Sequence, residues 1–366
     1  MYKELANCIF KCLNRIVFEA TLGFGFLAPY GFCSIMKKMV RLFIVVKFVF
    51  LSFYGIAQNI ENDTVTNLQT KNDSVFHSTG ICKKAKIKPS LITKLPAGLK
   101  ETSGLLMFDG LLWTFNDGGN PAEIYQIDTV NGQVLRTVKI INAPNCDWES
   151  MAQDEYNIYI GDFGNNSGNR TNLQILKISK GELRQTSITQ ADAQFIKFYY
   201  PDQKDFAPNF NNNNFDCEAF LCFNDSIYLF TKNWSDNKTK LYSLPSDSGT
   251  YEAHFVSQFY ADGLITDASI HKNGNIVLLG YKNTGRKIYT SFVWLLTANT
   301  ANNRGFSVNE HWKKLSLGSV LHVGQTEGIF LKNDNSAFIS SESILNGWLL
   351  RRAKLLKIDF DDCFQP

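Results

Sequence analysis

The sequence predicts an all-β protein of the β-propeller class, with five four-stranded blades and with six blades as the alternative. From about residue 88 onward, short runs of β-branched and aromatic residues alternate with clusters of Asn, Asp and Gly, and helical periodicity is absent over any useful length. These runs fall into four types that recur in the same order about every 40–60 residues, which is typical of propeller blades. A hydrophobic content of 44% is enough to form a large core.

The first strand of each repeat is predicted at residues 101–108, 147–154, 216–223, 265–272 and 325–332. An ungapped alignment of these segments produces one column of mostly acidic residues, Ser103, Glu149, Glu218, Asp267 and Glu327. The next column holds only small residues, Gly104, Ser150, Ala219, Ala268 and Gly328. Small residues suit strands whose backbones crowd toward a central axis, so we expect these segments to be the innermost strands.

The remaining strands follow in the same order in each repeat. Second strands are predicted at 111–117, 157–163, 226–233, 275–281 and 336–342, and third strands at 123–129, 173–179, 240–246, 292–298 and 354–360. Fourth strands are predicted at 134–140, 194–200, 254–260 and 311–317. The fifth repeat ends after its third strand, and residues 89–95 are expected to supply the fourth, which closes the ring without an open edge. The long interval between Glu149 and Glu218 is the reason for the six-blade alternative.

Residues 36–57 have the pattern of a secretory signal, with a basic start, an apolar run and small residues up to Ala57. We expect cleavage after Ala57 and an extracytoplasmic protein, secreted or periplasmic, with an uncleaved membrane anchor as the alternative. Residues 1–57 are therefore an N-terminal extension and signal whose true start is expected at Met36 or Met39. A polar linker (58–87) and one propeller domain (88–366) follow, without a membrane span.

The charge of the chain excludes a general nucleic-acid-binding protein. The sequence has 37 basic and 34 acidic residues, and seven of the basic ones but only two of the acidic ones lie in residues 1–57. The remainder is nearly neutral and has no general attraction to DNA or to an anionic membrane. The expected partner is an unidentified extracytoplasmic ligand or protein.

A disulfide between Cys82 and Cys363 is predicted from ring closure. An antiparallel register that places these two cysteines opposite each other also pairs Leu91 with Lys354, inside the two closing strands. An oxidising compartment permits such a bridge, and two free thiols are the alternative. No Cys pair and no Cys/His cluster in the sequence has the spacing of a zinc site.

Residues 101–140, together with CDWESMA (146–152) and IYIGDFGNN (158–166), resemble secreted bacterial propellers of the SdiA-regulated and esterase-like phytase families. Those families have an SGL motif in a first strand, an ND after a second strand and an acidic-Glu-Gly-Ile/Leu motif in later blades. QTEGIF (325–330) is similar to the last of these. The resemblance implies an exported propeller with a metal in its central channel, although this chain has five repeats where those relatives usually have six.

Four carboxylates of the acidic column are candidate metal ligands, and they are Glu149, Glu218, Asp267 and Glu327. If they point into the channel, their mutual repulsion either raises their pKa values or is relieved by a cation. Oxygen ligands without His or Cys suit Ca²⁺, which is the predicted cofactor. The alternative is that these side chains accept backbone hydrogen bonds and hold neighbouring blades together.

Five further polar residues are candidate ligand-binding residues, and they are Asn116, Asp117, Asp147, Asp162 and Asp216. Asp147 and Asp216 lie two residues before column carboxylates, so each pair shares one strand face. Asn116 and Asp162 lie at the ends of second strands, and Asp117 begins a Gly-rich turn. All five are expected near the same face of the propeller.

The sequence favours a binding or scaffold propeller with Ca²⁺ in its channel over an enzyme. No nucleophile elbow and no Ser/His/Asp spacing is present. The alternative function is a metal-dependent hydrolase of a phosphoester, ester or lactone at the channel mouth. In that case Glu149 and Glu327 are the candidate catalytic residues, because an enzyme needs an open metal position and a base near it.

Overall fold

The computed structural model describes residues 84–285, 289–299, 307–308, 313–346, 349–360 and 363–364. The chain divides into two compact units, Met1–Val75 and Phe76–Pro366, and the first lies wholly outside the described residues. The predicted signal, its cleavage point and Cys82 also lie outside them, so these remain predictions. No helix in the described ranges is long and apolar enough to cross a membrane.

Five mainly antiparallel sheets form the ring, which confirms a five-blade propeller and excludes the six-blade alternative for the described residues. Before the first blade lie β1 (Ser90–Lys94) and a 3₁₀ turn (Ala97–Leu99). Blade 1 contains β2 (Thr102–Phe108), β3 (Leu111–Asn116), β4 (Glu123–Ile127) and β5 (Val134–Ile140). Blade 2 contains β6 (Trp148–Gln153), β7 (Asn157–Asp162) and β8 (Gln174–Ser179); helix α1 (Lys180–Leu183) and β9 (Gln190–Ala191) precede its fourth strand, β10 (Gln194–Tyr199).

The second half of the chain repeats this pattern. Blade 3 contains β11 (Cys217–Phe223), β12 (Ser226–Thr231) and β13 (Lys238–Pro245), then β14 (Gly249–Glu252) and β15 (His254–Tyr260). Blade 4 contains β16 (Leu264–Ile270), β17 (Asn275–Asn283), β18 (Tyr289–Asn299), β19 (Ser307–Val308) and β20 (Lys313–Ser319), followed by helix α2 (Val320–Val323). Blade 5 contains β21 (Thr326–Asn333), β22 (Ser336–Ser341), the small hairpin β23 (Ile344–Asn346) and β24 (Leu349–Arg351), and β25 (Lys354–Asp359).

The apolar core lies between neighbouring blades, and a ring of five blades has five such interfaces. Among the described residues there are five apolar clusters, and each contains residues of two neighbouring blades. Between blades 1 and 2, for example, Phe115 packs edge-to-face on Trp148 with ring centroids 5.5 Å apart. The innermost strands are buried on both faces, as in β11, whereas the outer β10 alternates buried and exposed residues. This difference is why only the outer strands show a clear two-residue period.

The ring closes as the sequence predicts, because β1 pairs antiparallel with β25 as the fourth strand of blade 5. The predicted register is wrong by two residues at Leu91 and, after a bulge between Leu91 and Thr93, by three residues at Lys94. Leu91 pairs with Leu356 and Lys94 pairs with Lys354, whereas the sequence-based register pairs Leu91 with Lys354. The Cys82–Cys363 disulfide remains a prediction, because Cys82 lies outside the described residues.

Short segments cover the outer edges of three blades. β9 runs parallel to β5 on blade 1, β14 runs parallel to β10 on blade 2, and residues 85–87 bridge in parallel to Ser316 on blade 4. Each segment lies just before the fourth strand of the next blade, so the same connection that completes one blade also covers the edge of its neighbour.

Candidate functional site

A cavity of about 230 Å³ lies at one mouth of the central channel. Its charged lining consists of five carboxylates and one lysine, and these are Asp117, Asp147, Glu149, Glu218, Glu327 and Lys232. The neutral lining consists of Ser103, Asn166, Asn211, Trp234, Tyr281 and Gln325. The cavity is therefore rich in oxygen atoms and strongly negative.

β-Bulges direct three of these carboxylates into the cavity. In blades 2, 3 and 5 the register of the first two strands shifts at Glu149, Glu218 and Glu327, and blade 5 has a second shift between Leu331 and Asn333. A bulge leaves the extra residue unpaired and turns its side chain out of the ladder. The acidic column of the sequence is therefore a column of bulged residues in these three blades.

Blade 4 departs from the predicted column by one residue. Its bulge falls at Thr266, and Asp267 pairs with Leu279 in the strand ladder. Asp267 is therefore equivalent to the small residues that lie at the axis, such as Ser150 and Gly328. At this level the backbones crowd together, because a Cβ on Gly328 would lie 3.1 Å from the carbonyl carbon of Gly104.

Asp267 links blades across the channel and does not line the cavity. Its carboxylate accepts hydrogen bonds from the Ser150 hydroxyl of blade 2, the Ile329 N–H of blade 5 (2.6 Å) and the Ala268 N–H (2.9 Å). The side chain has no exposed surface, and this burial raises its pKa well above the ordinary aspartate value. The geometry of Asp267 therefore matches the alternative to metal binding that the sequence offers, in which the carboxylate accepts hydrogen bonds and holds neighbouring blades together.

Asp117, Asp147 and Glu149 form the group best placed to hold a cation. One carboxylate oxygen from each lies within 4.8 Å of the others. Glu149 is only 7% exposed, and its carboxylate accepts no hydrogen bond from any described residue. The backbone of Gly164 lies against this group, since a Cβ there would meet Oε1 of Glu149 and lie 2.5 Å from Oδ2 of Asp147. A buried carboxylate without a donor either holds a proton or has a cation as its partner.

The opposite part of the cavity already contains a cation, the ammonium group of Lys232. It donates to the Glu218 carboxylate and lies 4.7 Å from the ring centroid of Trp234 and 5.2 Å from that of Tyr281. On the same side, Gln325 Nε2 donates to Glu327 Oε1 at 2.7 Å. The candidate ligands Glu218 and Glu327 therefore both have donors within the protein.

Burial and mutual repulsion keep protons on several of these groups. Burial raises the pKa of Asp117 to about 6, and burial together with the charge of Asp117 raises that of Asp147 to about 7. Burial also raises the pKa of Glu327 to about 7 and that of Glu149 well above its ordinary value. Burial alone would lower the pKa of Lys232, but the surrounding carboxylates, Glu218 foremost, outweigh it and raise that pKa. A divalent cation would relieve this repulsion and release the protons.

The other three candidate ligand-binding residues lie behind the cavity as supports. Asn116 accepts from the Glu101 N–H and donates to the Gly98 carbonyl, so it fixes the start of blade 1. Asp162 has the equivalent position in blade 2, where it accepts from the Asp147 N–H at 3.1 Å and pairs with Arg170 at 2.9 Å.

Asp216 supports the cavity wall from blade 3. Its carboxylate accepts from the Asn165 N–H, the Asn166 side chain and the Trp234 indole at 2.7–2.8 Å. These bonds fix two lining residues, Asn166 and Trp234. The metal-ligand and ligand-binding roles assigned from the sequence remain predictions.

Lys232 and Tyr281 are lining residues that the sequence-based assignment omits. Lys232 directly follows the second strand of blade 3, as Asp117 directly follows that of blade 1. In the ungapped alignment, the column one position after Asn116 and Thr231 contains Asp117, Lys232 and Tyr281, so this signal was present in the sequence.

Comparisons with known proteins identify no family for this chain. No protein-family model matches it, and no curated protein matches it, so the resemblance to the SdiA-regulated and esterase-like phytase propellers remains a prediction. Among solved structures, the PQQ-bound aldose sugar dehydrogenase of Streptomyces coelicolor has a TM-score of 0.40 and 11% identity, over 76% of this chain and 100% of that one.

Two glycoside-active proteins are similar at the same level. The exo-β-1,3-galactanase of Phanerochaete chrysosporium has a TM-score of 0.43 and 12% identity, over 75% of this chain and 64% of that one. A GH43 enzyme of Xanthomonas citri has a TM-score of 0.39 and 12% identity, over 75% of this chain and 90% of that one. Likeness at this level carries no conclusion about activity.

Proposed function

We propose that this chain is a binding propeller whose channel-mouth cavity holds one divalent cation, Ca²⁺ by preference, and binds a neutral, oxygen-rich ligand beside it. The observation that supports this function is the group formed by Asp117, Asp147 and Glu149. Their oxygens lie within 4.8 Å of one another, and the Glu149 carboxylate has no donor among the described residues. These oxygens are close enough to bind one ion at the 2.3–2.6 Å distances that are typical of Ca²⁺.

The chemistry of the lining favours a hard cation. The described lining residues include no His and no Cys, so a softer metal has no preferred ligand. The side-chain amides of Asn166 and Asn211 line the same cavity and can supply further oxygen ligands. Ca²⁺ accepts six to eight such ligands in flexible geometry, and water molecules can complete the set.

The charge of the cavity favours a neutral ligand over an anionic one. When all five lining carboxylates are ionised, a divalent cation and Lys232 together offset three of the five negative charges, and the site is still negative. A phosphate group would enter against this charge in a poorly hydrated space, where like charges repel more strongly than in water. We therefore infer a hydroxyl- or carbonyl-bearing ligand.

The binding test uses purified protein of residues 58–366, treated with chelator and titrated with Ca²⁺ by calorimetry. We expect one ion per chain, with binding weakened at least about tenfold in Glu149→Gln because the site loses a charged ligand. Asp192→Asn removes an exposed carboxylate away from the cavity and is the matched control. Absence of Ca²⁺ binding, or equal binding by Glu149→Gln and the wild type, would contradict the proposal.

A second candidate function is a metal-dependent hydrolase of an ester or lactone. Glu327 favours it, because its pKa of about 7 suits a general acid or base and it lines the same cavity as the cation group. Turnover of such substrates by the Ca²⁺-loaded protein that is lost in Glu327→Gln, with Ca²⁺ still bound, would support the enzyme. Turnover that is unchanged in Glu327→Gln, or no turnover on any substrate class, would contradict the enzyme proposal, and binding would then be the one remaining proposed function.

The extracytoplasmic location is part of the same proposal. A full-length chain expressed in a bacterium is expected to yield a product that begins at Gln58. A mature protein that retains residues 1–57 would contradict cleavage and favour the membrane anchor.

A further inference from the structure

The ammonium group of Lys232 is buried in a cage that resembles a binding site for a free cation. Lys232 is 4% exposed and pairs with the Glu218 carboxylate. The rings of Trp234 and Tyr281 lie 4.7 and 5.2 Å from its nitrogen, within the range of cation–π attraction. The Trp234 ring is itself held in place by a 2.7 Å hydrogen bond from its indole nitrogen to Asp216.

The cavity therefore has two acidic parts, and among its lining residues only the second contains a cation that belongs to the protein, Lys232. Asp117, Asp147 and Glu149 form the first part. The Arg170 guanidinium, which pairs with Asp162 and does not line the cavity, lies 3.8 Å from Asp147 Oδ2. Glu218 and Glu327 line the second part together with Lys232. Both parts belong to one continuous cavity, so the charge in one part acts on the other through a medium of low dielectric constant.

We propose that Lys232 occupies a second cation position in this cavity and thereby limits it to one divalent ion. This inference rests on the proposed function, because it presupposes that the first part binds Ca²⁺. Lys232 offsets one negative charge without filling the first part, and it prevents a second divalent ion from reaching Glu218. Removal of the ammonium group is expected to leave Glu218 and Glu327 without a counter-charge and to create a second site.

The test compares Ca²⁺ stoichiometry in three chains of residues 58–366: the wild type, Lys232→Met and Lys240→Met. Lys240 lies in the same blade, pairs with Asp202 at 2.6 Å and contacts the Phe215 ring, so it is a matched control outside the cavity. Equilibrium dialysis with Ca²⁺ alone is expected to show one bound ion in the wild type and in Lys240→Met. In Lys232→Met the stoichiometry is expected to double to two ions.

A second measurement uses thermal stability. If two ions bind only the folded state, the stabilisation at saturating concentrations grows twice as steeply with the logarithm of Ca²⁺ concentration as it does for one ion. Lys232→Gln replaces the ammonium by a neutral amide that can still donate to Glu218, and it serves if Lys232→Met does not fold. Lys232→Arg keeps the positive charge and is expected to bind one ion.

The outcomes separate the two proposals. A wild type that binds no Ca²⁺ overturns the proposed function, and this inference with it. One ion in the wild type and one ion in Lys232→Met, or in Lys232→Gln if Lys232→Met does not fold, overturns this inference alone. Two ions in the wild type also overturn it, because Lys232 then does not exclude a second divalent ion.

Discussion

Replacement of Asp267 by Ala is expected to destabilise the propeller by about 3–6 kcal/mol. The fully buried carboxylate accepts from the Ser150 hydroxyl, the Ile329 N–H and the Ala268 N–H. In the variant these three buried donors have no acceptor, and each such group costs at least about 1–2 kcal/mol. The total is large because the three donors belong to three different blades, so no single local movement supplies all of them with new partners.

The assay is urea unfolding at neutral pH, followed by tryptophan fluorescence, with Asp334→Ala as the control. Asp334 is 43% exposed and also joins blades 4 and 5, through the side chains of Asn273 and Asn275. Its loss is expected to cost less than about 1 kcal/mol because water can replace it. An Asp267→Ala variant that loses no more than this control would refute the reasoning. A double-mutant cycle with Ser150→Ala then isolates the contact across the channel.

Three more predictions concern the cavity and the closing strands. Metal-free protein is expected to lose stability as the pH rises from about 4.5 to 7. The pKa of Glu327 is raised to about 7, so over this range the folded state holds a proton that the unfolded state has released. Deprotonation of this group alone is expected to lower the free energy of unfolding by on the order of 3 kcal/mol. Urea unfolding in the presence of chelator measures this, and a stability that rises with pH would contradict the prediction. Gly164→Ala is expected to abolish Ca²⁺ binding in dialysis, because the new methyl group would meet the Glu149 carboxylate. The Cys82–Cys363 disulfide is expected in exported protein, and peptide mapping without reductant would show free thiols if it is absent.

The architecture could be predicted from the sequence because each blade repeats the same physical requirements. Inner strands need small residues at the axis, outer strands need a two-residue period, and the last blade lacks one strand that only the N-terminal segment can supply. These features are local in sequence, and the five apolar layers between blades follow from them.

The exact positions of the side chains could not be predicted, because hydrogen-bond register is not encoded in residue type. A bulge at Thr266 in place of Asp267 shifts the fourth blade by one residue and moves its carboxylate from the expected column to the axis. The closing strands show the complementary case. Their register differs from the predicted one by two residues at Ser90 and Leu91, a shift that keeps side chains on the same face and that the hydrophobic pattern cannot detect. A bulge between Leu91 and Thr93 then increases the difference to three residues, and a bulge is likewise not visible in residue type.

The composition of the cation group also depends on tertiary structure. Asp147 and Glu149 are two residues apart, and the sequence predicts that they share a strand face. Asp117 belongs to another blade and meets them only because the turn after β3 and the start of β6 lie at the same mouth of the channel. Their convergence within 4.8 Å required the ring.

The pairing of β1 with β25 constrains the order in which the chain can fold during its synthesis. Ser90 and Lys357 bond across 267 residues, so blade 5 cannot be completed until the chain has left the ribosome as far as β25. Blades 1 to 4 can pack one after another as they emerge. The closing contact costs the conformational entropy of closing a very long loop, so it is expected to form last and slowly. Until then β1 has no partner strand, and the nascent chain is an open stack of blades with one apolar face at each end.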